Sequence, residues 1–329
     1  MPNEDIAALH EMLARVIDRW TRGVSDCSTA IRNLGFFRRE APVPPAVCLI
    51  EPSVVLVSQG KKQIFVGGEA FPYDTERFLI TSLDIPANSE TIAASRESPC
   101  LGLALTLDLR IVAELIAQGG LPPPQDPPSG RGLVIGTLTP AILGPIKRLV
   151  DLLDEPAAIP VIAPLIQREI HYRLLMSDQA ARLWQIASVG SQSHRIARAI
   201  DWLKMNYASP FRVEDLAARA LMSPSTFHHH FRQLTAMSPL QYQKWLRLNE
   251  ARRLMLNERR DAAEAAFHVG YESPSHFSRD YNRLFGASPK RDIKALRRNA
   301  EDPARSALAP NPHAGTAAPA PEIIAAALR

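Results

Sequence analysis

The chain has 329 residues, of which 46% are hydrophobic and 22% are charged, as is typical of folded globular proteins and not of disordered chains. Its length predicts about two domains, since single domains average roughly 150 residues. No apolar run reaches the ~20 residues of a membrane-spanning helix, and the first five residues are acidic where a signal peptide is basic. The sequence therefore predicts a soluble, cytoplasmic protein with no membrane partner.

The net charge of +4 conceals an uneven distribution along the chain. Residues 191–299 contain 19 Lys and Arg against 10 Asp and Glu, whereas the remaining residues contain 19 against 24. A basic segment joined to a mildly acidic one indicates a module that binds a polyanion, attached to a part with a different task.

The first hundred residues pass from a helical to a strand pattern. Apolar residues recur at helical spacing over residues 4–20, so residues 1–24 are predicted as an N-terminal helix. Between about 35 and 107, short β-branched runs are separated by Gly and Pro. Many short strands at this spacing predict a small β-sandwich or barrel.

Helices rich in Leu and Ile follow the strands. They are predicted at 108–118, 139–154 and 161–177, and the five prolines within 121–128 predict a loop between the first two. The apolar stripes of the last two helices suit packing on each other or on a second copy of the chain. Both interpretations stay open, and a homodimer is one of them.

Two copies of one sequence unit, offset by 50 residues, lie in the basic segment. Ser223–Phe231 (SPSTFHHHF) matches Ser273–Tyr281 (SPSHFSRDY), and 8 of 26 positions are identical between 214–239 and 264–289. In each copy a short helix and a turn precede a Ser-Pro pair, which is a common start of a second helix. This order predicts two helix-turn-helix units.

Each second helix has an apolar and a polar face when it is projected at ~100° per residue. The apolar face, with Phe227 in the first copy and Phe277 in the second, is predicted to be core. The polar face carries side chains that can read base edges in the major groove, arginine being suited to guanine. The polar faces comprise Ser225, His228, His229 and Arg232 in the first copy and Ser275, His276, Arg279, Asn282 and Arg283 in the second. Two amphipathic helices with merely solvated polar faces are the alternative.

A helix predicted over 240–257 joins the two units. At ~1.5 Å per residue it spans roughly 25 Å, whereas successive major-groove faces on one side of DNA lie about 34 Å apart. Two recognition helices on this strut would therefore reach adjacent grooves by tilting or by bending the DNA.

The motif strings of this segment are long and specific. Residues 216–254 contain LA, SPSTF, SP and RL followed by EARRL, and residues 265–274 read AAFHVGYESP. Over about 100 residues these motifs resemble the DNA-binding domain of AraC/XylS-family transcription regulators. The resemblance implies a bipartite reader within one chain, with its two recognition helices in successive major grooves. Position by position, it implies base contacts by Ser225, Thr226, His228 and His229, then by Ser275, His276 and Arg279.

The N-terminal part resembles the AraC-type regulatory domain. The residues that carry this resemblance are LVSQGKK over 56–62, FPYD over 71–74, LITSLDIP over 79–86 and LTLD over 105–108. The predicted fold class is therefore α+β. Its parts are a cupin-like β-barrel with flanking helices at 25–185, an all-α domain of two helix-turn-helix units joined by a linker helix at 190–298, and a disordered Ala/Pro-rich tail at 299–329.

A metal-dependent enzyme is the main alternative, because cupin-like barrels often hold iron or manganese on histidines. No histidine lies between Glu11 and Ile170, which excludes a His-based centre and leaves a carboxylate-only site conceivable. The side chains of His228–His230 diverge on a helix and do not converge on one ion. P-loop, nucleophile-elbow and dinucleotide-binding motifs are absent. The sequence predicts neither an enzyme nor a cofactor.

The three cysteines are Cys27, Cys48 and Cys100, an odd number without a C-x-x-C pair, so they form neither a disulfide framework nor a zinc site. Cys48 and Cys100 are candidates for sensing a thiol-reactive compound, which requires an exposed thiol of lowered pKa.

The sequence as a whole favours a one-component, effector-responsive regulator that binds double-stranded DNA sequence-specifically. An activator that contacts RNA polymerase and responds to an unknown small molecule is preferred to a repressor. The alternative is a non-specific architectural DNA-binding protein whose barrel senses nothing.

Overall fold

The computed structural model describes residues 2–121, 130–188 and 190–301. Its N-terminal half, residues 2–121 and 130–188, combines two sheets with five helices, and its C-terminal half, residues 190–301, is helical. The predicted α+β class is confirmed. Among the helices of these residues, none is both long and apolar enough to cross a membrane.

Ten antiparallel strands build the N-terminal half. They are β1 Asp26–Ser28, β2 Leu34–Arg39, β3 Val43–Ile50, β4 Ser53–Gln59, β5 Lys61–Val66, β6 Glu69–Tyr73, β7 Arg77–Thr81, β8 Ile85–Ala93, β9 Cys100–Thr106 and β10 Leu133–Thr137. One sheet has the order β1-β2-β9-β4-β7-β10 and the other β3-β8-β5-β6. The cupin-like fold is thus an open sandwich of two sheets and not a closed barrel.

The two sheets enclose a shared apolar core. Phe37 and Val57 of the six-stranded sheet and Ile64 and Tyr73 of the four-stranded sheet belong to one buried cluster. The opposite face of the six-stranded sheet is covered by helices. Because both of its faces are buried, its central strands have near-continuous apolar sequences, and the sequence of β4 already predicts a strand.

Five helices flank the sheets. They are α1 Pro2–Trp20, α2 Leu109–Ala117, α3 Pro140–Asp151 with a 3-10 turn at Leu152–Asp154, α4 Ile159–Leu175 and α5 Ala180–Ala187. The sequence predicts the first four of these with small boundary differences, but neither the short α5 nor β10. The Pro-rich loop predicted at 121–128 lies almost wholly outside the described residues, since 122–129 are not described.

Seven helices form the C-terminal half. They are α6 Gln192–Met205, α7 Val213–Arg219, α8 Pro224–Thr235, α9 Pro239–Asn257, α10 Ala262–His268, α11 Pro274–Phe285 and α12 Pro289–Glu301. The pairs α7/α8 and α10/α11 are the two predicted helix-turn-helix units, and α9 is the linker helix between them. The tail predicted to be disordered from 299 begins with the last residues of α12, and residues 302–329 lie outside the described part of the chain.

The two halves are in contact through polar and apolar groups. Lys204 Nζ lies 2.8 Å from Asp84 Oδ1, and the Tyr242 hydroxyl donates to the Asp84 carbonyl oxygen at 3.0 Å. Buried side chains on both sides belong to one continuous apolar cluster, including Leu133 in the first half and Leu234 in the second. The first recognition helix is therefore held against the N-terminal half.

Candidate DNA-binding surface

The two recognition helices, α8 and α11, begin in the same way. The side chains of Ser223 and Ser273 accept hydrogen bonds from the backbone N–H groups of Thr226 and His276, and a proline follows each serine. A serine cap satisfies one of the free N–H groups at a helix start, and proline suits the first helical position. The local sequence therefore sets where each recognition helix begins.

The two helices also end in the same way. Ala236 and Gly286, which are 50 positions apart, both adopt left-handed backbone angles, with φ of 64° and 73°. This conformation lets the residue after a helix bond back to the last turn. The sequence repeat is thus a structural repeat from cap to cap.

The predicted apolar face of each helix is buried. Phe227 and Phe231 of α8, like Phe277 and Tyr281 of α11, are fully inaccessible to solvent. Their rings pack in pairs, with centroids 5.5 Å apart in both helices. Burial of these rings fixes the rotation of each helix, so the opposite face points outward.

The structure places every predicted DNA-contacting side chain on the exposed surface. These residues are Ser225, Thr226, His228, His229 and Arg232 on α8, and Ser275, His276, Arg279, Asn282 and Arg283 on α11. Each of the two equivalent helix-turn-helix units thus exposes one set of polar side chains. This arrangement suits the reading of two sites on one DNA duplex.

The hydroxyl groups at the start of α8 form a small network. Ser223 Oγ donates to Thr226 Oγ1 at 2.8 Å and lies 3.2 Å from Ser225 Oγ. Thr226 is therefore engaged in helix capping as well as being exposed. In the middle of the helix, the rings of His229 and His230 meet edge to face at 5.2 Å between centroids.

The outward face of α11 is braced by a buried carboxylate. Asp280 is buried and lies 3.2 Å from Lys244 Nζ of α9 and 3.7 Å from His276 Nε2. The Tyr271 hydroxyl lies 3.3 Å from the same carboxylate, and burial is the main reason why the pKa of Tyr271 is raised. Asp280 thus ties the first turn of the recognition helix to the linker helix.

Arg247 of the linker helix ties the second unit to the segment between α6 and α7. Its guanidinium donates to the carbonyl oxygens of Tyr207, Ala208 and Gly270 at 2.7 to 3.0 Å. Burial lowers the pKa of Arg247. Three carbonyl acceptors on two separate chain segments make this arginine a link between the α6–α7 segment, the linker helix and the turn of the second unit.

The two candidate sensing cysteines lie in the sandwich. Cys100 is fully buried and Cys48 is partly buried against the same core. Burial raises the pKa of Cys48 to about 11 and also raises that of Cys100, despite the nearby Lys62. Since the thiolate is the reactive form, these surroundings oppose the chemistry that thiol sensing requires.

A cleft of about 1340 Å³ lies between α1 and one end of the six-stranded sheet, lined among others by His10, Gln59 and Thr137. His10 is buried, and neither ring nitrogen has a hydrogen-bond partner in the described part of the chain. Burial lowers the pKa of His10, and the nearby Thr75 backbone offsets only part of this effect. Among the described residues, no three His, Cys, Asp or Glu side chains are grouped to hold a metal.

One residue beside the first recognition helix is not predicted from the sequence. Arg131, which precedes β10, lines a groove with the outward side chains of α8. It lies 101 positions before Arg232 in the sequence, so no local pattern connects the two.

Each half of the chain matches a known protein-family model. Residues 30–182 match the AraC-type transcriptional regulator N-terminus, and residues 216–295 match a helix-turn-helix domain. A RhaS transcriptional activator of Pectobacterium carotovorum is 29% identical over 137 residues, which cover 42% of this chain and 47% of RhaS. The RhaS of Yersinia pestis strain Angola is 29% identical over 158 residues, which cover 47% of this chain and 56% of that RhaS. The chain spans about half the length of the curated relatives it matches.

A solved structure shares the overall fold. ToxT of Vibrio cholerae, in complex with a naphthalenyl-butenoic acid, superposes with a TM-score of 0.55 at 10% identity, covering 80% of this chain and all of that one. The family is one of transcription regulators and not of enzymes. With both halves matched and two helix-turn-helix units in place, the chain belongs to the AraC/XylS family of transcription regulators.

Proposed function

We propose that the ten exposed side chains of α8 and α11 contact DNA and that this chain is an effector-responsive activator. The observation that carries the proposal is the pair of equivalently capped helices, each with its aromatic face buried and its hydrogen-bonding face exposed. Base edges are read by such side chains, whereas phosphate contacts hold the protein in register.

Selection of bound sequences from a random DNA pool at physiological salt tests this proposal. Two short blocks separated by about one helical turn of DNA are expected, because each helix reads one major groove. Enrichment of no sequence, with and without a metabolite mixture, would contradict it and favour a non-specific architectural protein.

For the effector we propose the cleft beside α1. The residues that line it include the neutral side chains of His10, Gln59 and Thr137, and two charged pairs lie within the lining, Glu11 with Arg15 at 3.0 Å and Asp18 with Arg22 at 3.3 Å. A neutral imidazole offers one donor and one acceptor. These groups favour an uncharged, hydroxyl-bearing molecule over an ion.

The effector proposal is tested by ¹⁵N NMR of the histidine rings during titration with a panel of sugars and polyols. Binding is expected to shift the His10 ring signals and to change affinity for the selected DNA. The His10→Phe variant should lose both effects. A DNA response that persists in His10→Phe would place the effector elsewhere.

We further propose a homodimer formed through α4. Val161 and Leu165 of α4 are 67% and 63% exposed, and Tyr172 and Met176 extend the same exposed stripe. Spacings of four and seven residues place them on one side of the helix. Continuous exposed apolar surface favours a protein contact.

Sedimentation of the full chain tests the dimer. Leu165→Glu is expected to shift the population to monomer, whereas Met205→Glu, a matched change at an 84% exposed residue of α6, should leave it unchanged. A wild-type protein that sediments as a monomer at tens of micromolar would refute the proposed interface.

The activator role, with RNA polymerase as partner, draws support from the RhaS relatives, which are named as activators. Transcription in vitro from a promoter that carries the selected site is expected to rise on addition of the protein. A fall in transcript would indicate a repressor.

A further inference from the structure

Arg131 of the N-terminal half reaches across to the end of the first recognition helix. Its Nη1 lies 3.4 Å from the carbonyl oxygens of Arg232 and Gln233, and the next residue, Gly132, donates its N–H to the Leu234 carbonyl oxygen at 3.0 Å. The last carbonyl groups of a helix lack partners within it and attract cations. This segment therefore covers the C-terminal end of α8.

The same guanidinium forms one wall of a groove on the outward face of α8. The groove has a volume of about 560 Å³, and its other walls are formed by Ser225, His228, His229, Arg232 and Gln233. All but Gln233 are among the residues predicted to contact DNA. Two guanidinium groups and two imidazoles face one space, which suits an anion.

Among the residues that the structure describes, Glu69 forms an ion pair with Arg131. Glu69 Oε2 is 3.7 Å from Arg131 Nε, and the Glu69 side chain is 58% exposed. A separated, solvated pair of this kind contributes little stability. Because a guanidinium has five N–H donors, this pair and the two long carbonyl contacts leave it able to bind a further acceptor.

We propose that Arg131 binds a DNA phosphate beside the base pairs read by α8, so that the N-terminal half contributes one backbone contact. The inference rests on the proposed DNA contacts of α8. In a helix-turn-helix complex the start of the recognition helix reads bases, and phosphates pass along its flanks. Arg131 stands on such a flank, next to Arg232.

Salt dependence separates this role from simple capping of α8. Each phosphate contact adds about 0.9 to the slope of log K against log salt, because binding releases condensed counterions. A capping residue lowers affinity by disordering the helix end but leaves the number of phosphate contacts, and hence the slope, unchanged.

The test measures affinity of the full chain for selected DNA between 50 and 200 mM salt. In Arg131→Gln the slope is expected to fall by about 0.9, so that the advantage of the wild type over this variant shrinks about 3.5-fold across that range. Arg131→Lys should retain the slope, since it keeps the charge. Arg110→Gln, which removes an exposed arginine of the same half that pairs with Asp108, is the control and should match the wild type.

A second measurement guards against a folding defect in Arg131→Gln. Methylphosphonate linkages, which remove one phosphate charge, are placed in turn along the first block of the site. At one position the modification is expected to weaken DNA binding by the wild type but not by Arg131→Gln. The two proteins should also have matching melting curves.

An unchanged slope in Arg131→Gln, with or without lost affinity, would overturn the proposal. So would methylphosphonate effects that are the same in both proteins at every position. Failure of the wild type itself to enrich any sequence would instead contradict the proposed function, so the two failures are distinguishable.

Discussion

Arg279 on α11 is the exposed arginine in the middle of the second reading face. An arginine that donates two hydrogen bonds to guanine contributes about 1–3 kcal/mol of discrimination against other bases. Arg279→Ala is therefore expected to lose preference at one position of the selected site and keep the others. Repeating the selection with the variant measures this, and an unchanged site would remove Arg279 from the reading face.

Gly270 occupies the turn between α10 and α11 with φ of 84°, and a Cβ there would lie 2.0 Å from the Ala208 carbonyl oxygen. Gly270→Ala is expected to cost about 1–2 kcal/mol for the left-handed backbone and roughly 1–3 kcal/mol more for displaced neighbours. Urea unfolding measures the change.

Gly286→Ala is the control for this substitution. Gly286 has φ of 73° but open space around its Cβ position, so only the backbone cost of about 1–2 kcal/mol is expected. Equal losses in the two variants would show that the close approach to Ala208 has no energetic weight.

At the scale of elements, one buried ion pair fixes the last three long helices. Arg252 of α9 makes two 2.8 Å hydrogen bonds to Asp292 of α12, and the Tyr281 hydroxyl of α11 donates to the same carboxylate at 2.7 Å. Asp292 is fully buried as a side chain. The orientation of the second recognition helix thus depends on a helix outside its own unit.

Removing one partner of a buried pair leaves an uncompensated charge and costs about 3–5 kcal/mol. Asp292→Ala is expected to lose this much stability in urea unfolding and to weaken binding at the second block of the site. Glu258→Ala, which breaks a surface pair with Arg253 at 3.0 Å, should cost at most ~1 kcal/mol. Similar losses in both variants would argue against the bracing role of Asp292.

At the scale of the whole molecule, Asp84 links the two halves. It is buried beside Lys204, and its backbone accepts from Tyr242. Lys204→Met would leave the Asp84 carboxylate without its cation, at a cost of about 1–3 kcal/mol. We expect calorimetry to show a single unfolding transition in the wild type and separated transitions in the variant.

Asp154→Ala is the matched change within one half, since it removes the exposed partner of Arg19 at 2.7 Å. It is expected to keep the single transition. If Lys204→Met also keeps it, the shared apolar core alone couples the halves and the ion pair contributes nothing.

Local sequence patterns were sufficient to predict the two helix-turn-helix units and their outward faces. Serine caps such as Ser223, the proline after each cap and the buried Phe positions act within one or two helical turns, so they are legible as local patterns. The strands of the sandwich with long apolar runs, such as β4, were predictable for the same reason.

How these parts meet depends on contacts between segments that are far apart in the sequence. The short strand β10, the placement of Arg131 against α8 and the contact of Asp84 with Lys204 depend on residues that are about 50 to 120 positions apart. In α1, Trp20 follows the apolar residues at helical spacing and is nevertheless 36% exposed, whereas Ile17 is buried. Whether a side chain is buried depends on which element packs against it. A local sequence pattern cannot identify that element when it comes from a distant part of the chain.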